Sequence, residues 1–240
     1  MPTTNAYGQQ VGDEVPGWVP RCPPVAVLLP GRYVQVEPLS IAHAQALYDS
    51  LCGPDDPPLW TYRPTDPPED PDAMGTLIEA ILAAPDLVTF ALVPVDGSAA
   101  GLASYTRIDP AYGQAEVAGV LYARSLQRTR AATEVIRLMA GHVFDDLGYR
   151  RFEWKCDSLN EASRRAAVRL GFCYEGRFRN HMVTKGLNRD TDWFSITDAE
   201  WPDVRTAYDR WLDLDNFDAD GRQRTALSDL TKSLGGRRDG

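Results

Sequence analysis

Histidine and cysteine are scarce in this chain of 240 residues, three and four in all, and no two cysteines form a C-x-x-C pair. Cys22, Cys52, Cys156 and Cys173 with scattered histidines offer no zinc-ligand spacing, so no metal site is expected. Long apolar runs are missing as well, and no segment reads as a membrane span. The first 24 residues are rich in proline, glycine and polar side chains and hold no basic residue before Arg21, which does not read as a secretory leader. Positive charge is in deficit: 25 Lys and Arg against 34 Asp and Glu leave a net charge of −9. Such a field repels polyanions and argues against nucleic-acid and membrane-surface partners. A reduced, cytoplasmic protein is the simplest expectation.

What is present suffices for a packed core, since 43% of residues are hydrophobic. One catalytic domain is expected over 25–212. A flexible extension precedes it at 1–24, and a charged, partly disordered tail follows at 213–240, with fraying over 235–240. Upstream, a strand is expected over 32–39, a helix over 41–51, a long loop rich in proline and acid over 52–72, and a helix over 73–83. Strands over 87–95 and 99–108 meet at Asp96-Gly97, a hairpin signal.

The stretch from Ala115 to Phe172 carries the chemistry. A buried strand over 115–123 runs through Gln127-Arg128-Thr129-Arg130-Ala131-Ala132 into a helix. Ala132, Val135, Ile136, Met139, Val143 and Leu147 share one face of that helix, and Gly148 ends it. The first-turn amides have no intrahelical acceptor and sit at the positive end of the macrodipole, so Thr129 to Ala132 can hold a phosphate. Arg124, Arg128 and Arg130 flank this turn; Arg164, Arg165 and Arg169 follow on the next helix, where phosphate contact and a solvated face are both open readings.

Alternation in Arg151-Phe152-Glu153-Trp154-Lys155-Cys156-Asp157 puts Phe152, Trp154 and Cys156 on one face of a strand. Asn160 reads as an N-cap, and Leu170-Gly171-Phe172 ends the helix it starts. Strands over 173–183 and 191–197, joined by a turn-rich connector, complete a mixed, mostly antiparallel α/β (α+β) sheet with helices on both faces. A last helix bears Trp201, Val204, Tyr208 and Trp211 on one side, with Thr197 or Asp198 as its cap.

Three stretches resemble the GCN5-related N-acetyltransferase (GNAT) superfamily, in particular its ribosomal-protein N-terminal acetyltransferase branch. Gln127 to Ala132 matches the (Q/R)xxGx(G/A) pyrophosphate loop except that Arg130 stands at its glycine. Asn160 with Leu170-Gly171-Phe172 matches the family's Asn and terminal LGF, and Tyr174-Glu175-Gly176 matches the strand that follows. The resemblance implies the GNAT fold and acetyl-CoA as co-substrate, held by Gln127, Arg128, Thr129, Arg130, Ala131, Ala132 and Asn160, with oxyanion donors at the backbone near Leu121 and Tyr122. It implies Glu116 as the base that takes the acceptor's ammonium proton.

The family's sulfur-facing tyrosine would fall on Ala167, so Ser163 takes its place, an arrangement similar to the serine-using ribosomal-type branch. Trp60 and Tyr62 fall on the acceptor wall, where cleft contact and packing under a loop are both open. Asn180, His181 and Trp193 fall on the hairpin that closes that side. The implied activity is acetylation of a primary amine, on a small molecule or a protein N-terminus, and the acidic loop favours a cationic acceptor. A second copy of the chain is a candidate partner. The lost glycine and tyrosine leave a second reading: a non-catalytic acyl-CoA-binding or sensing module.

Overall fold

A computed structural model describes residues 3–235, so the last part of the expected fraying segment, 236–240, lies outside the described residues. The elements in chain order begin with strands β1 (Thr3–Thr4), β2 (Gln10–Val11), β3 (Leu29–Pro30) and β4 (Val34–Pro38), then helices α1 (Ala44–Leu51) and α2 (Pro71–Leu82). Strands β5 (Val88–Pro94), β6 (Gly101–Asp109) and β7 (Gln114–Tyr122) lead to α3 (Arg130–Gly141), β8 (Arg151–Asp157) and α4 (Glu161–Arg169). The hairpin β9 (Cys173–Thr184) and β10 (Leu187–Thr197) precedes α5 (Trp201–Leu212) and α6 (Leu227–Gly235).

Eight strands form one sheet in the order β3-β4-β5-β6-β7-β8-β10-β9, and every pair is antiparallel except β7 with β8. This is the mixed, mostly antiparallel sheet the sequence leads one to expect. Side-chain alternation sorts its two faces. Tyr105 is fully buried and its hydroxyl donates to the Met139 carbonyl at 2.9 Å, which puts α3 on that face. Ser104, Thr106 and, across the β6–β7 register, Glu116 point to the other face, where Arg63 from the α1–α2 connection and Ser104 both come up against Gly119. Helix α3 also secures the first hairpin: the Glu134 carboxylate accepts from the amides of Arg32, Tyr33 and Val34 at 2.6–3.1 Å.

Boundaries differ from expectation in four places. The β9–β10 turn is the two residues Lys185 and Gly186, both left-handed, so β10 begins at Leu187 and the predicted connector belongs largely to the strand. Neither Thr197 nor Asp198 caps α5; the cap position is Glu200, whose side chain instead accepts from the Thr197 amide at 2.8 Å. The segment after Asp213, read as a charged tail, folds back as α6, with Leu227 fully buried and the Thr231 hydroxyl donating to the Arg169 carbonyl. In the N-terminal extension, the Trp18 indole donates to the Ala111 carbonyl at 3.0 Å and the Arg21 amide to Pro110 at 2.9 Å. Gly113 is left-handed there, φ +64°, and a Cβ would lie 2.3 Å from the Trp18 ring, so both backbone and space call for glycine.

Candidate active site

The site begins with one glycine. Leu102 pairs with Leu121 and Ser104 with Ala118, so Gly119 and Val120 together oppose Ala103 alone: a bulge, with Gly119 at φ +61°. On its other edge β7 pairs in parallel with β8 only from Gln114↔Arg151 to Val117↔Trp154. Beyond that point β8 stays with β10, paired from Arg151 to Asp157, while β7 stays with β6. The two parallel strands therefore part, and backbone groups from 118 to 122 are left without a sheet neighbour on that edge.

A cleft of about 1210 Å³ opens in the gap. Glu116 to Tyr122 line one bank, Trp154 to Asp157 with Asn160 and Ser163 line the other, and Gln127 to Arg130 with Ala132 and Thr133 close one end. Alternation settles which backbone faces the gap. The Ala123 amide donates to Ala100 and the Leu121 carbonyl lies against Gly101, so both face β6. Tyr122 faces the opening, where its carbonyl accepts from Gln127 Nε2 at 3.0 Å. Of the two positions named for the oxyanion, Tyr122 faces the gap by this alternation and Leu121 faces β6.

At the helix entrance Thr129 is the N-cap of α3, its hydroxyl accepting from the Ala132 amide at 3.2 Å. The amides of Arg130 and Ala131 keep no intrahelical acceptor. The left-handed residue of this loop is Arg128, φ +62°, and not Arg130, which begins the helix. A glycine at 130 is therefore not needed for backbone conformation. The Arg130 side chain lies over the rings of Tyr33 and Phe217, at 5.1 and 4.4 Å, and Arg130 and Phe217 both line the cleft. Arg124 pairs with Asp56 at 2.9 Å and also meets the Asp55 carbonyl, Arg164 pairs with Asp192 at 2.7 Å, and Arg165 with Glu161 at 2.6 Å. Arg169 lines the cleft, donates to the Thr133 hydroxyl at 3.2 Å and lies over Trp211. The exposed Arg128 and the inward Arg169 are thus, beside Arg130, the cations best placed for a phosphorylated ligand.

Glu116 is 1% exposed at the last stretch of β7 before the strands part. Burial pushes its carboxyl up to about 7, opposed by the Lys155 ammonium at 3.2 Å and less strongly by Arg107 at 3.7 Å, while Glu153 raises it further. Arg107 is itself left-handed, φ +47°, at a second register shift in β6, which re-aims its side chain at both carboxylates. Lys155 and Arg107 are functional neighbours that the sequence reading missed: alternation showed Lys155 on the face of Glu153, but only the parallel register brings it to Glu116.

Across the gap, Asn160 caps α4 by accepting from the Ser163 amide at 3.1 Å, which leaves its Nδ2 hydrogens free to donate. The Trp154 indole donates to Ser163 Oγ at 3.0 Å. With its oxygen engaged as acceptor, the serine keeps its hydroxyl hydrogen to donate, and within the protein the neighbouring Cys156 sulfur takes a hydrogen bond from it.

The acceptor-side residues sort differently from expectation. Trp60 is 1% exposed and its indole donates to the Leu51 carbonyl at 2.9 Å, so it anchors the loop from within the core and does not line the cleft. Tyr62 does line it, and its hydroxyl donates to the Leu159 carbonyl at 3.0 Å, strapping the loop across to the β8–α4 turn. Lys185 at the hairpin tip holds the same loop through Asp66 at 2.6 Å and the Trp60 carbonyl at 3.2 Å. Asn180, His181 and Trp193 are not among the cleft-lining residues.

The Asn180 amide donates to Asp190 at 2.8 Å, and His181 bonds the Thr191 hydroxyl at 2.9 Å. Burial, then Lys155, Arg189 and Arg107, hold the His181 imidazole below its ordinary pKa. Trp193 is 7% exposed beneath the Arg107 guanidinium and the Lys155 ammonium. Three of the six loop acids are engaged, Asp56 with Arg124, Asp66 with Lys185, and Asp70 as the cap of α2, while Asp55, Glu69 and Asp72 are exposed. The engaged three build the loop, and their share of the field offered to a cationic acceptor is correspondingly weakened.

A sheet parted at a bulge, an amide-rich helix entrance at one end of the gap, and a buried carboxylate and a hydroxyl on its two banks define an acyltransferase cleft for a long, phosphate-bearing thioester. Comparison with known proteins agrees. Residues 34–173 match the Acetyltransferase (GNAT) domain, and the chain belongs to that family. A GCN5-related N-acetyltransferase from Brucella melitensis superposes with a TM-score of 0.88 at 39% identity, over 91% of this chain and 100% of that one. An acetyltransferase of the GNAT family from Chromobacterium violaceum gives 0.74 at 36% identity, over 80% and 96%. YdaF of Bacillus subtilis, provisionally named a ribosomal N-acetyltransferase, is 28% identical over 106 residues, which are 44% of this chain and 57% of that protein. The protein is an acetyltransferase, and its family uses acetyl-CoA as co-substrate. Among the described residues no helix is long and apolar enough to cross a membrane, and no cluster of His, Cys, Asp and Glu could hold a metal ion.

Proposed function

We propose that this protein transfers the acetyl group of acetyl-CoA to the primary amine of a small molecule or a protein N-terminus, by direct attack of the amine on the thioester. The observation that carries this reading is the parting of β7 from β8 between Glu116 and Ser163. The gap offers unpaired backbone to an extended amide-bearing arm, and the α3 entrance offers amides to its diphosphate. Asn160 Nδ2 donates to an amide carbonyl of that arm.

Glu116, ionised for half the population near pH 7, takes a proton from the acceptor ammonium, and Lys155 stabilises the carboxylate form. The Tyr122 amide donates to the oxyanion that forms as nitrogen adds to the carbonyl carbon. The Ser163 hydroxyl donates to the departing sulfur while the Trp154 indole fixes its rotamer. Burial raises the thiols of Cys52 and Cys156 to about 11, so neither supplies a thiolate at neutral pH, which favours direct attack over an acyl-cysteine intermediate.

The sensing alternative is not favoured. Its two supports were the missing glycine and tyrosine; Arg130 fits the loop with its side chain over Tyr33 and Phe217, and Ser163 supplies a donor on the correct bank. Four free cysteines suit a cytoplasmic setting, and the catalytic unit we assign to 25–212 leans on α6. Incubation with acetyl-CoA and a panel of amines should release free thiol in proportion to acetylated product. Tight CoA binding by calorimetry with no thiol released by any amine would overturn the proposal.

A further inference from the structure

Arg63 is a cleft cation with neither a counter-charge nor a hydrogen-bond partner among the described residues. It comes off the α1–α2 connection, and its Nε is fully buried. Taking part of a guanidinium out of water without a partner is costly, and an anion in the cleft would complete it. Burial alone sets the direction in which its pKa moves, downward, with no carboxylate acting the other way.

Its surroundings are built. Nη1 lies 3.2 Å, and Ser104 Oγ 3.4 Å, from the point a Cβ on Gly119 would occupy, so the glycine at the bulge is also what leaves room for the guanidinium. Ser104 Oγ is bonded at 2.8 Å to Thr89 Oγ1; both hydroxyls are buried and both line the cleft. The pair holds one hydrogen between its oxygens and keeps a second to donate.

Position along the sheet says which ligand this pocket serves. Ser104 is opposite Ala118 and Thr106 opposite Glu116, on the same face, so the Ser104 hydroxyl beside which Arg63 lies and the Glu116 carboxylate come from neighbouring positions on one face of the sheet. The α3 entrance, where the diphosphate is assigned, lies past the far end of β7. An anion at Arg63 is therefore carried by the molecule whose amine meets Glu116.

We infer that Arg63, with the Ser104–Thr89 hydroxyl pair, binds a carboxylate of the acceptor, so that the preferred substrates are amines that carry a carboxylate a few bonds from the reacting nitrogen. This rests on the acetyl-transfer reading and specifies its acceptor. The carboxylate can be the α-carboxylate of a free amino acid or an acidic side chain near a peptide N-terminus; the chemistry recognised is the same.

The test uses the full chain, acetyl-CoA and matched acceptors: free amino acids against their carboxamides, and tripeptide amides with Asp or Glu against Asn or Gln in the first two positions. Thiol release should favour the carboxylate member by about 10- to 100-fold in kcat/KM, the range of a charge-assisted hydrogen bond in a cleft. The two sets of pairs tell the α-carboxylate from the side-chain source. In Arg63→Gln the discrimination should fall to within about threefold, and Arg63→Lys should retain part of it. Turnover of both members of every pair at equal kcat/KM sinks the Arg63 inference and leaves the acetyl-transfer reading standing; thiol release from none sinks both. A Gln variant that keeps the discrimination and loses acetyl-CoA affinity would move Arg63 to the donor side and overturn the assignment.

Discussion

Replacing Glu116 by glutamine is the sharpest probe of the chemistry, because the carboxyl is placed at about 7 where an ordinary glutamate sits at 4.5. With a value near 7, roughly a tenth of the protein carries the base at pH 6 and roughly nine-tenths at pH 8. Between those pH values kcat/KM for a fixed acceptor should rise about tenfold from this group alone. The acceptor's own ammonium adds a second slope, and the variant removes that ambiguity: Glu116→Gln keeps the acceptor's slope and lacks the enzyme's. The ratio of native to variant kcat/KM therefore reports the enzyme group only, climbing about tenfold from pH 6 to 8 and then levelling.

The level itself should lie about 10²- to 10⁴-fold above one, the usual contribution of a positioned base. Stability should move the other way. A folded-state value above the unfolded one means that the native chain holds the proton more tightly; this contribution is complete below pH 4.5 and is lost as pH climbs through 7. The difference between 4.5 and about 7 corresponds to about 3 kcal/mol. Urea unfolding of native protein should lose that much relative to Glu116→Gln between pH 4.5 and 8. A ratio of kcat/KM that stays flat from pH 6 to 8 would refute Glu116 as the base, whatever the stability data gave.

Ser163→Ala should lower kcat about 10- to 100-fold in stopped-flow thiol release while acetyl-CoA Kd by calorimetry moves less than about threefold, since only the departing sulfur loses a donor. Arg130→Ala removes the stack on Tyr33 and Phe217 and should cost about 1–2 kcal/mol in denaturant unfolding; a tenfold loss of acetyl-CoA affinity without that destabilisation would mean that the guanidinium reaches the diphosphate. Trp60→Phe strands the buried Leu51 carbonyl and should cost about 1–3 kcal/mol, with the acceptor KM within about twofold of native; a raised KM at unchanged stability would return Trp60 to the acceptor wall.

The donor half of the site was legible in the sequence because its parts are local. Thr129 caps α3, Asn160 caps α4, and left-handed Gly171 at φ +86° ends α4 within the LGF triplet, and each acts within a few residues of itself. The acceptor half depends on register and on loop closure, which no local pattern carries. Nothing near Gly119 announces that the chain bulges there, and the alternation of β8 places Lys155 on a face without saying that Glu116 will stand against it. The connection over 52–70 misled for a related reason. Its aromatics and acids read alike in sequence, yet folding divides them into a core anchor, Trp60, a strap, Tyr62, and, among the acids, the ion-paired Asp56 and Asp66, while the arginine between them is the side chain left open to the cleft.

The same division explains why two ordinary side chains can act as a base and as a donor here. Each reactive atom on the banks of the gap has its other valence used by a neighbour on β8: the Lys155 ammonium meets Glu116, and the Trp154 indole meets Ser163. Consecutive residues of one strand point to opposite faces, so one dipeptide, Trp154-Lys155, sets the hydroxyl on the α4 side and the carboxylate on the other. Parallel pairing ends at Trp154, which is where β7 must leave for a ligand to enter between them. A shift of the β7–β8 register by one residue would bring Trp154 toward Glu116 and leave both groups unsupported, so the bulge at Gly119 and the pairing of Val117 with Trp154 are as necessary to the chemistry as the carboxyl and hydroxyl themselves.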